Sequence, residues 1–416
     1  MVFKIKLHLL LVLFPFIFVP FNSNNSCNNY LSYFFISFSS DCYHSPDVND
    51  NITNIIQRHT NSSETHHVQT QDGYILGLFR IRRDNPRGVI LFQHPFNFDA
   101  RIWVTQYNDS VAFLYWRAGY DVWLGNTRGS LYSKKHVTLK PSDSDFWDHS
   151  FHELAYYDLH ATVEYVKKTT GGSKIIYVGY CMGAISGLIY ASIKPEDASK
   201  SIQIMITLAP VISYQDAHGP LMTAIAILYK LQPLREYMGI YSVGRYAIWY
   251  LRLLRFFYLL FPFKKLLPYT ISFFFGWTPD EMDPNYANLM VSHFGSEASL
   301  KVVDHGHQMH LDNRFQVYSY GNDHNMKIYG SPKPSLYSLE AIKLPVFIVC
   351  SYDDYISHYK DNERLFNSLP QEATIYGKLV VKGMNHFDYA YGKRRNEEVH
   401  NKVLQLLNSL CEDKSN

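Results

Sequence analysis

The sequence predicts an α/β fold, a mostly parallel sheet covered by helices on both faces, and three observations point to it. Short apolar runs rich in β-branched residues alternate with helically spaced stretches from about residue 68 to 209, and again from 346 to 410. That alternation is the mark of parallel strands joined by crossover helices. One such run, 174–178, enters Tyr177-Val178-Gly179-Tyr180-Cys181-Met182-Gly183 and then a helix-like segment, 184–193. Between the two alternating blocks, residues 210–344 break the pattern, as an insertion into one large domain does.

Length and composition bound the alternatives. A chain of 416 residues with 47% hydrophobic and 18% charged residues can bury a large core. A net charge of +2 gives no bulk attraction to nucleic acid, and 16% aromatic residues exclude a largely disordered chain. Lys4 and Lys6 precede an apolar run, 7–21, of a length that suits a signal-peptide core and is short for a membrane span. The expected leader is 1–22, directing the protein to secretion or the lysosome; a second apolar patch, 30–38, makes an uncleaved anchor the alternative. Sequons at Asn24, Asn51, Asn61 and Asn108 suit the secretory route. Five cysteines make no disulfide framework in so long a chain. Cys350 reads as buried in a strand, while Cys27, Cys42 and Cys411 could pair among themselves, leaving Cys181 free.

In chain order, 68–70 and 75–81 read as an antiparallel pair turned by Asp72-Gly73, and His66-His67 as a polar turn before it. Residues 89–93 form a buried strand ending in His94-Pro95-Phe96, 107–118 a helix, and 120–124 a second buried strand running into Gly125-Asn126-Thr127-Arg128-Gly129. A long helix, 151–169, ends at Gly171-Gly172 and precedes the strand of the Cys181 turn, its helix, and a strand at 202–209. Within the insertion, 246–263 is strongly apolar, but Arg252, Arg255 and Pro262 argue against a membrane span. The two arginines lie on one face, which fits an amphipathic helix packed over the core or serving as a lid toward lipid. Afterwards come a strand at 346–350, a helix at 359–368, a strand at 373–380 and a helix at 396–410. The resulting boundaries are 45–210 and 345–412 for the two parts of the core and 211–344 for the helical cap.

The Cys181 turn carries the chemistry. A nucleophile on a sharp strand-to-helix turn sits in a strained backbone with its side chain above the sheet, so the residues two positions away must be small; Gly179 and Gly183 meet that need. The helix start offers an N–H, that of Met182, to a developing oxyanion. Two later residues complete a set in the chain order of α/β-hydrolases: Asp354, just after the 346–350 strand, and His386, in Gly383-Met384-Asn385-His386-Phe387-Asp388. A loop aspartate or one of 19 histidines is ordinary alone; in this order and in these loops they complete a nucleophile, base and acid.

With these residues in view, the chain resembles the acid lipases of the lysosomal and gastric type, from about residue 51 to 410. The resemblance rests on Thr70-Gln71-Asp72-Gly73-Tyr74-Ile75-Leu76, on 120–129 with Lys135-His136, and on Phe146-Trp147 and Tyr157-Asp158-Leu159. It continues through Leu208-Ala209-Pro210 and Asn385-His386-Phe387-Asp388. It implies an α/β-hydrolase core under a helical cap or lid that cleaves acylglycerols or sterol esters without a cofactor or metal, touching a lipid interface transiently through the cap. No stable protein partner is implied. The family's roles fall on Cys181 as nucleophile, Asp354 as acid and His386 as base, with the backbone N–H groups of Phe96 and Met182 as oxyanion donors.

Three departures accompany the resemblance. Cys181 stands where the family has serine, flanked by Tyr180 and Met182 where it has His and Gln. Pro95 replaces a glycine in the oxyanion loop, and Ser351-Tyr352 replaces Gly-Gly ahead of the acid. Cysteine with His and Asp is a workable acyl-transfer set, and a thiolate paired with imidazolium persists at low pH. Sulfur is larger than oxygen, however, and Pro95 constrains His94 and thereby the aim of the Phe96 N–H. Two functions follow: a lipid ester hydrolase working through a thioester, which the joint presence of Cys181, Asp354 and His386 favours, and a catalytically silent relative that binds or carries lipid. His305, His307 and His310 have the look of a metal-ligand run, but the family places a cap segment there with counterparts of His305 and Gln308, so no metal is expected. Arg128 reads as buried support of its loop.

Overall fold

The computed structural model describes residues 47, 50–244, 266–282, 290 and 293–412. The expected leader, the 30–38 patch, Asn24, Cys27, Cys42 and the 246–263 stretch lie outside them. A nine-stranded sheet organises the described residues. Helix α1 (Ile52–Thr60) leads into β1 (Glu64–Gln69) and β2 (Tyr74–Ile81), which pair antiparallel. β3 (Val89–Gln93), helix α2 (Val111–Arg117) and β4 (Asp121–Gly125) follow, with β5 (Lys135–His136) as a short antiparallel addition to β2. From β4 onward across the sheet all neighbours run parallel: β4 with β3, β3 with β6 (Ile175–Tyr180), β6 with β7 (Ile202–Leu208), β7 with β10 (Val346–Ser351), and β10 with β11 (Lys378–Val381). Every residue of β3, β4, β6 and β10 is buried, which is why these strands read as unbroken apolar runs.

The two faces are covered by different helices. On one lie α3, over residues 151–169, and α4 (Met182–Ile193); α3 is α-helical at Phe151–Glu153, π-helical at Leu154–Leu159 and α-helical again at His160–Thr169. α5 (Pro195–Ser201) links α4 to β7. The opposite face carries α2 and the carboxyl-terminal helix, whose residues Val399, Val403 and Leu407 are buried in one core cluster with Ile90, Phe92 and Ile204.

Between β7 and β10 the chain leaves the sheet. α6 (Pro220–Lys230), α7 (Gln232–Tyr237), a two-stranded ribbon of β8 (Ser242–Val243) with β9 (Ala298–Ser299), α8 (Leu267–Phe275), α9 (Leu300–Asp312) and α10 (Asn322–Tyr329) make up its described part. α9 and α8 both pack against α6. Among the described residues no helix is long and apolar enough to cross a membrane.

Three local expectations are corrected. His66 and His67 do not form a turn: both lie in β1, paired with Leu78 and Gly77, and the His66 ring rests on Trp123 with Nδ1 3.1 Å from the Tyr165 hydroxyl. An edge strand tolerates such polar alternation because one face meets solvent. The 107–118 helix is broken into a 3₁₀ turn at Tyr107–Asp109 and α2, since Ser110 accepts the Gln106 N–H at 2.8 Å. The strand expected from 373 begins at Lys378, because a 3₁₀ turn at Gln371–Ala373 and Gly377 at φ 70° intervene.

Candidate active site

The turn after β6 is built by close backbone approach. Cys181 sits at φ 49° and ψ −107°, a region that non-glycine residues rarely occupy. Its N–H donates to the Leu208 carbonyl at 2.9 Å, and its carbonyl accepts the Ile185 N–H at 2.9 Å, so the strained residue is tied to β7 on one side and to α4 on the other. A Cβ on Gly179 would lie 2.7 Å from the Ala184 nitrogen, and one on Gly183 would lie 2.6 Å from the Gln93 carbonyl oxygen. Both glycines are therefore demanded by contact, and the second seats the start of α4 against the end of β3.

That contact also sets the β3 loop beside the turn. His94 is buried; its Nε2 accepts the Thr127 N–H at 3.1 Å, which leaves Nδ1–H to donate to the Pro95 carbonyl at 2.9 Å. Burial pushes the His94 imidazole below its usual range, keeping it neutral for this arrangement. Phe96 and Met182 both line the cavity that opens over Cys181. Among the described residues neither N–H is spent on another acceptor.

Asp354 and His386 come from the neighbouring strand ends. Asp354 follows β10 and is fully buried; its Oδ1 accepts the N–H groups of Ile356 and Ser357, each at 2.8 Å, which points Oδ2 at His386. His386 Nδ1 lies 2.8 Å from that oxygen, and Cys181, which lines the same cavity, is near enough to favour charge on the ring. Burial opposes charge on His386, but the Asp354 carboxylate and Cys181 override it and raise its pKa to about 10. The structure thus brings Cys181, His386 and Asp354 together in one chain of contacts. An apolar cavity of about 280 Å³ rises from it, walled by Ile185, Val211, Met222, Leu228 and Phe275 among others. A nucleophilic sulfur, an imidazole favoured in its charged form and a buried carboxylate beneath an apolar cavity are the groups that acyl transfer to a thiol requires.

The comparisons with known proteins bear on this geometry. Residues 89–392 match the model of the alpha/beta hydrolase fold, and 52–107 match a partial alpha/beta-hydrolase lipase region. The chain is 30% identical to Lipase 1 of Drosophila melanogaster over 87% of its own length and 80% of that protein. It is 29% identical to human Lipase member N and 28% to the gastric triacylglycerol lipase of Rattus norvegicus, in both cases over 87% of this chain and 92% of the relative. The chain belongs to the acid lipase family. A monoglyceride lipase from Saccharomyces cerevisiae in complex with a substrate analog shares the fold at a TM-score of 0.54 and 16% identity, covering 83% of this chain and 96% of that one. The lipase relatives thus support a lipase-like ester hydrolase function for this chain.

Other residues singled out in the sequence find their places in the acid lipase fold. Arg128 is buried, with its N–H and guanidinium on Asp158 and two further nitrogens on Asp72 at 2.6 and 3.0 Å, over the Tyr74 ring at 3.9 Å. It braces the loop after β4 rather than facing a ligand. His305 and His310 approach the carbonyls of Gln316 at 2.8 Å and Tyr214 at 2.9 Å, and Gln308 pairs with the Ser319 backbone. Among the described residues no cluster of His, Cys, Asp and Glu could hold a metal. Cys350 is buried in β10, Cys181 and Cys350 are both free, and Asn51, Asn61 and Asn108 are exposed. Sequence reasoning missed two contacts here. The Tyr180 hydroxyl donates to the His386 carbonyl, tying the turn to the base loop, and Thr278 reaches the same loop from the insertion. Neither stands in a spacing pattern, so no local signal marked it.

Proposed function

We propose that this protein hydrolyses carboxylic esters of lipids, acylglycerols or sterol esters, through a thioester on Cys181. The observation that carries this reading is His386, held between Asp354 and Cys181 at the floor of an apolar cavity. A protonated imidazole would disable a serine, whose proton needs a base, but it suits cysteine, since an imidazolium beside the sulfur stabilises the thiolate that attacks. The sulfur bonds to the acyl carbon, His386 gives its proton to the departing alkoxide, and a water then deprotonated by His386 releases the acid and restores the thiol. Phe96 and Met182 are assigned the oxyanion, Gly179 and Gly183 the clearance of the turn.

In this reading 211–344 is the cap over a core of 45–210 and 345–412, and the cap meets lipid transiently. Leu234, Tyr237 and Met238 on and just after α7, with Phe273 and Trp277 on and just after α8, stand exposed, which would place an apolar surface toward the bulk substrate. The leader 1–22 and glycans on Asn51, Asn61 and Asn108 belong to a secreted or lysosomal route. The gastric relatives support that route.

A second reading has its own observation: a cysteine in place of the family's serine, with Pro95 in the oxyanion loop, also suits a lipid carrier that keeps the cavity without the reaction. Mass spectrometry after brief exposure to a p-nitrophenyl acyl ester separates the two. An adduct on Cys181 that turns over, and that Cys181→Ala lacks, is the expected result. No adduct at any chain length or pH, with Cys181→Ser also silent, would sink the hydrolase reading and make co-purified lipid the test of the carrier; activity gained only in Cys181→Ser would show a site disarmed at one atom.

A further inference from the structure

The segment that leaves α8 crosses directly over the two loops that carry the acid and the base. At its start the Phe275 carbonyl accepts the Tyr355 N–H at 3.2 Å and the His386 N–H at 3.4 Å, one oxygen shared between the Asp354 loop and the His386 residue itself. Gly276, at φ 134°, lies so close that a Cβ there would strike the Asp353 carbonyl oxygen at 1.9 Å and the Asn385 side chain at 2.9 Å. Farther along, Glu281 holds Arg394 through both carboxylate oxygens, at 2.7 and 2.8 Å, and its carbonyl accepts the Lys393 N–H at 2.8 Å. Between these anchors stands Thr278, whose side chain is buried.

Its hydroxyl does two things at once. It donates to Asp388 Oδ2 at 2.7 Å and accepts from Asn385 Nδ2 at 2.7 Å. Asp388 Oδ2 in turn accepts the Asn385 N–H at 2.6 Å, and Asn385 Oδ1 accepts the Phe387 N–H at 2.8 Å. The ring of bonds therefore encloses His386 from both sequence neighbours, and the one atom in it that does not come from the 385–388 loop is Thr278 Oγ1. An oxygen that donates and accepts in a fixed direction cannot be replaced by an apolar group without leaving a buried amide and a buried carboxylate short of a partner.

We infer that Thr278 is a positioning residue, fixing through Asn385 and Asp388 the orientation of the His386 imidazole toward Cys181 and so coupling the inserted helices to the triad. This deepens the proposed hydrolase reading and rests on it. Burial raises the Asp388 carboxyl to about 7, against the pull of its Asn385 and Thr278 donors.

The test compares Thr278→Val, Thr278→Ala and Thr278→Ser in the full chain, by kcat and KM on a soluble p-nitrophenyl ester and by the pH profile of Cys181 alkylation with iodoacetamide. Thr278→Val, which fills the space without the hydroxyl, is expected to lower kcat about tenfold or more with KM within about twofold, as a small displacement of a catalytic group does. Thr278→Ala is expected to lose less, because a water can enter and bridge Asn385 to Asp388; it also serves where the Val variant does not fold. Thr278→Ser keeps the oxygen and is expected within about threefold of the parent protein. In parallel, Cys181 alkylation should run slower in Thr278→Val and Thr278→Ala than in the parent across the pH profile, because a displaced imidazole activates the sulfur less, while Thr278→Ser should match the parent. A parent-like kcat and alkylation profile in both the Val and Ala variants would overturn the inference. If the parent protein turns over no ester but the alkylation profile still shifts on substitution, the positioning role stands and the hydrolase reading falls.

Discussion

Cys181 and His386 meet across one cavity, yet the backbone beneath each is secured in a different way. Cys181 is held by the sheet: its N–H goes to β7, and the glycines on either side fit against Ala184 and the end of β3 with no room for a methyl group. His386 sits after the last strand, and what fixes it is a set of polar contacts from elsewhere in the chain, the Asp354 carboxylate, the Tyr180 hydroxyl and the segment 275–282. Steric contact between backbones is unforgiving but needs no partner chemistry. A hydrogen-bonded loop tolerates small changes of volume but depends on each donor and acceptor. The nucleophile half therefore comes preassembled with the core, whereas the base half depends on how the insertion docks.

The sharpest way to break the nucleophile half is Gly183→Ala. With a backbone oxygen 2.6 Å from the added carbon, either α4 or β3 must shift, and we expect a loss of about 3 kcal/mol or more in a urea melt together with complete loss of Cys181 acylation. A melt and an acylation rate matching the parent would show that the turn is not confined in this way.

The base half is addressed through pH. The folded His386 pKa is raised to about 10, against an unfolded value near 6.5, so its contribution to stability is fully present below about pH 6.5 and is lost as pH climbs through about 10. Unfolding free energies of the parent and of His386→Gln should accordingly converge between those limits. A gap that stays constant across that range would remove the ion-pair account of His386.

The smallest effect lies outside both halves. Tyr237 ends α7 and is 90% exposed, and Tyr237→Glu should cut turnover on emulsified lipid by roughly five- to tenfold, the scale of partly burying one large side chain, while leaving a soluble ester unaffected. Equal losses on both substrates would mean that the surface acts on the triad and not on lipid.

Much of the architecture was legible beforehand because its causes are local or periodic. Strands buried on both faces are largely apolar, so β3, β4, β6, β7 and β10 announce themselves in the sequence. The turn at Cys181 was legible because backbone crowding there admits only glycine at 179 and 183. Asp354 and His386 could be placed because they follow strands whose ends converge. The boundaries that were missed, at His66-His67, at Ser110 and at Lys378, were decided by pairing with a distant strand, a cap from a side chain, or a turn glycine, each of which overrides local pattern.

What the sequence by itself determined was thus the sheet and the order of Cys181, Asp354 and His386 along it, since these follow from burial, periodicity and spacing along the chain, while the family was legible only through the resemblance of its motifs. Tertiary structure alone decided how the base is held. The bonds of Tyr180 to the His386 carbonyl and of Thr278 to Asn385 and Asp388 join residues more than 100 positions apart. A hydroxyl's worth depends on which partner lies 2.7 Å away once the chain has closed, and nothing in the spacing of a lone tyrosine or threonine records that partner.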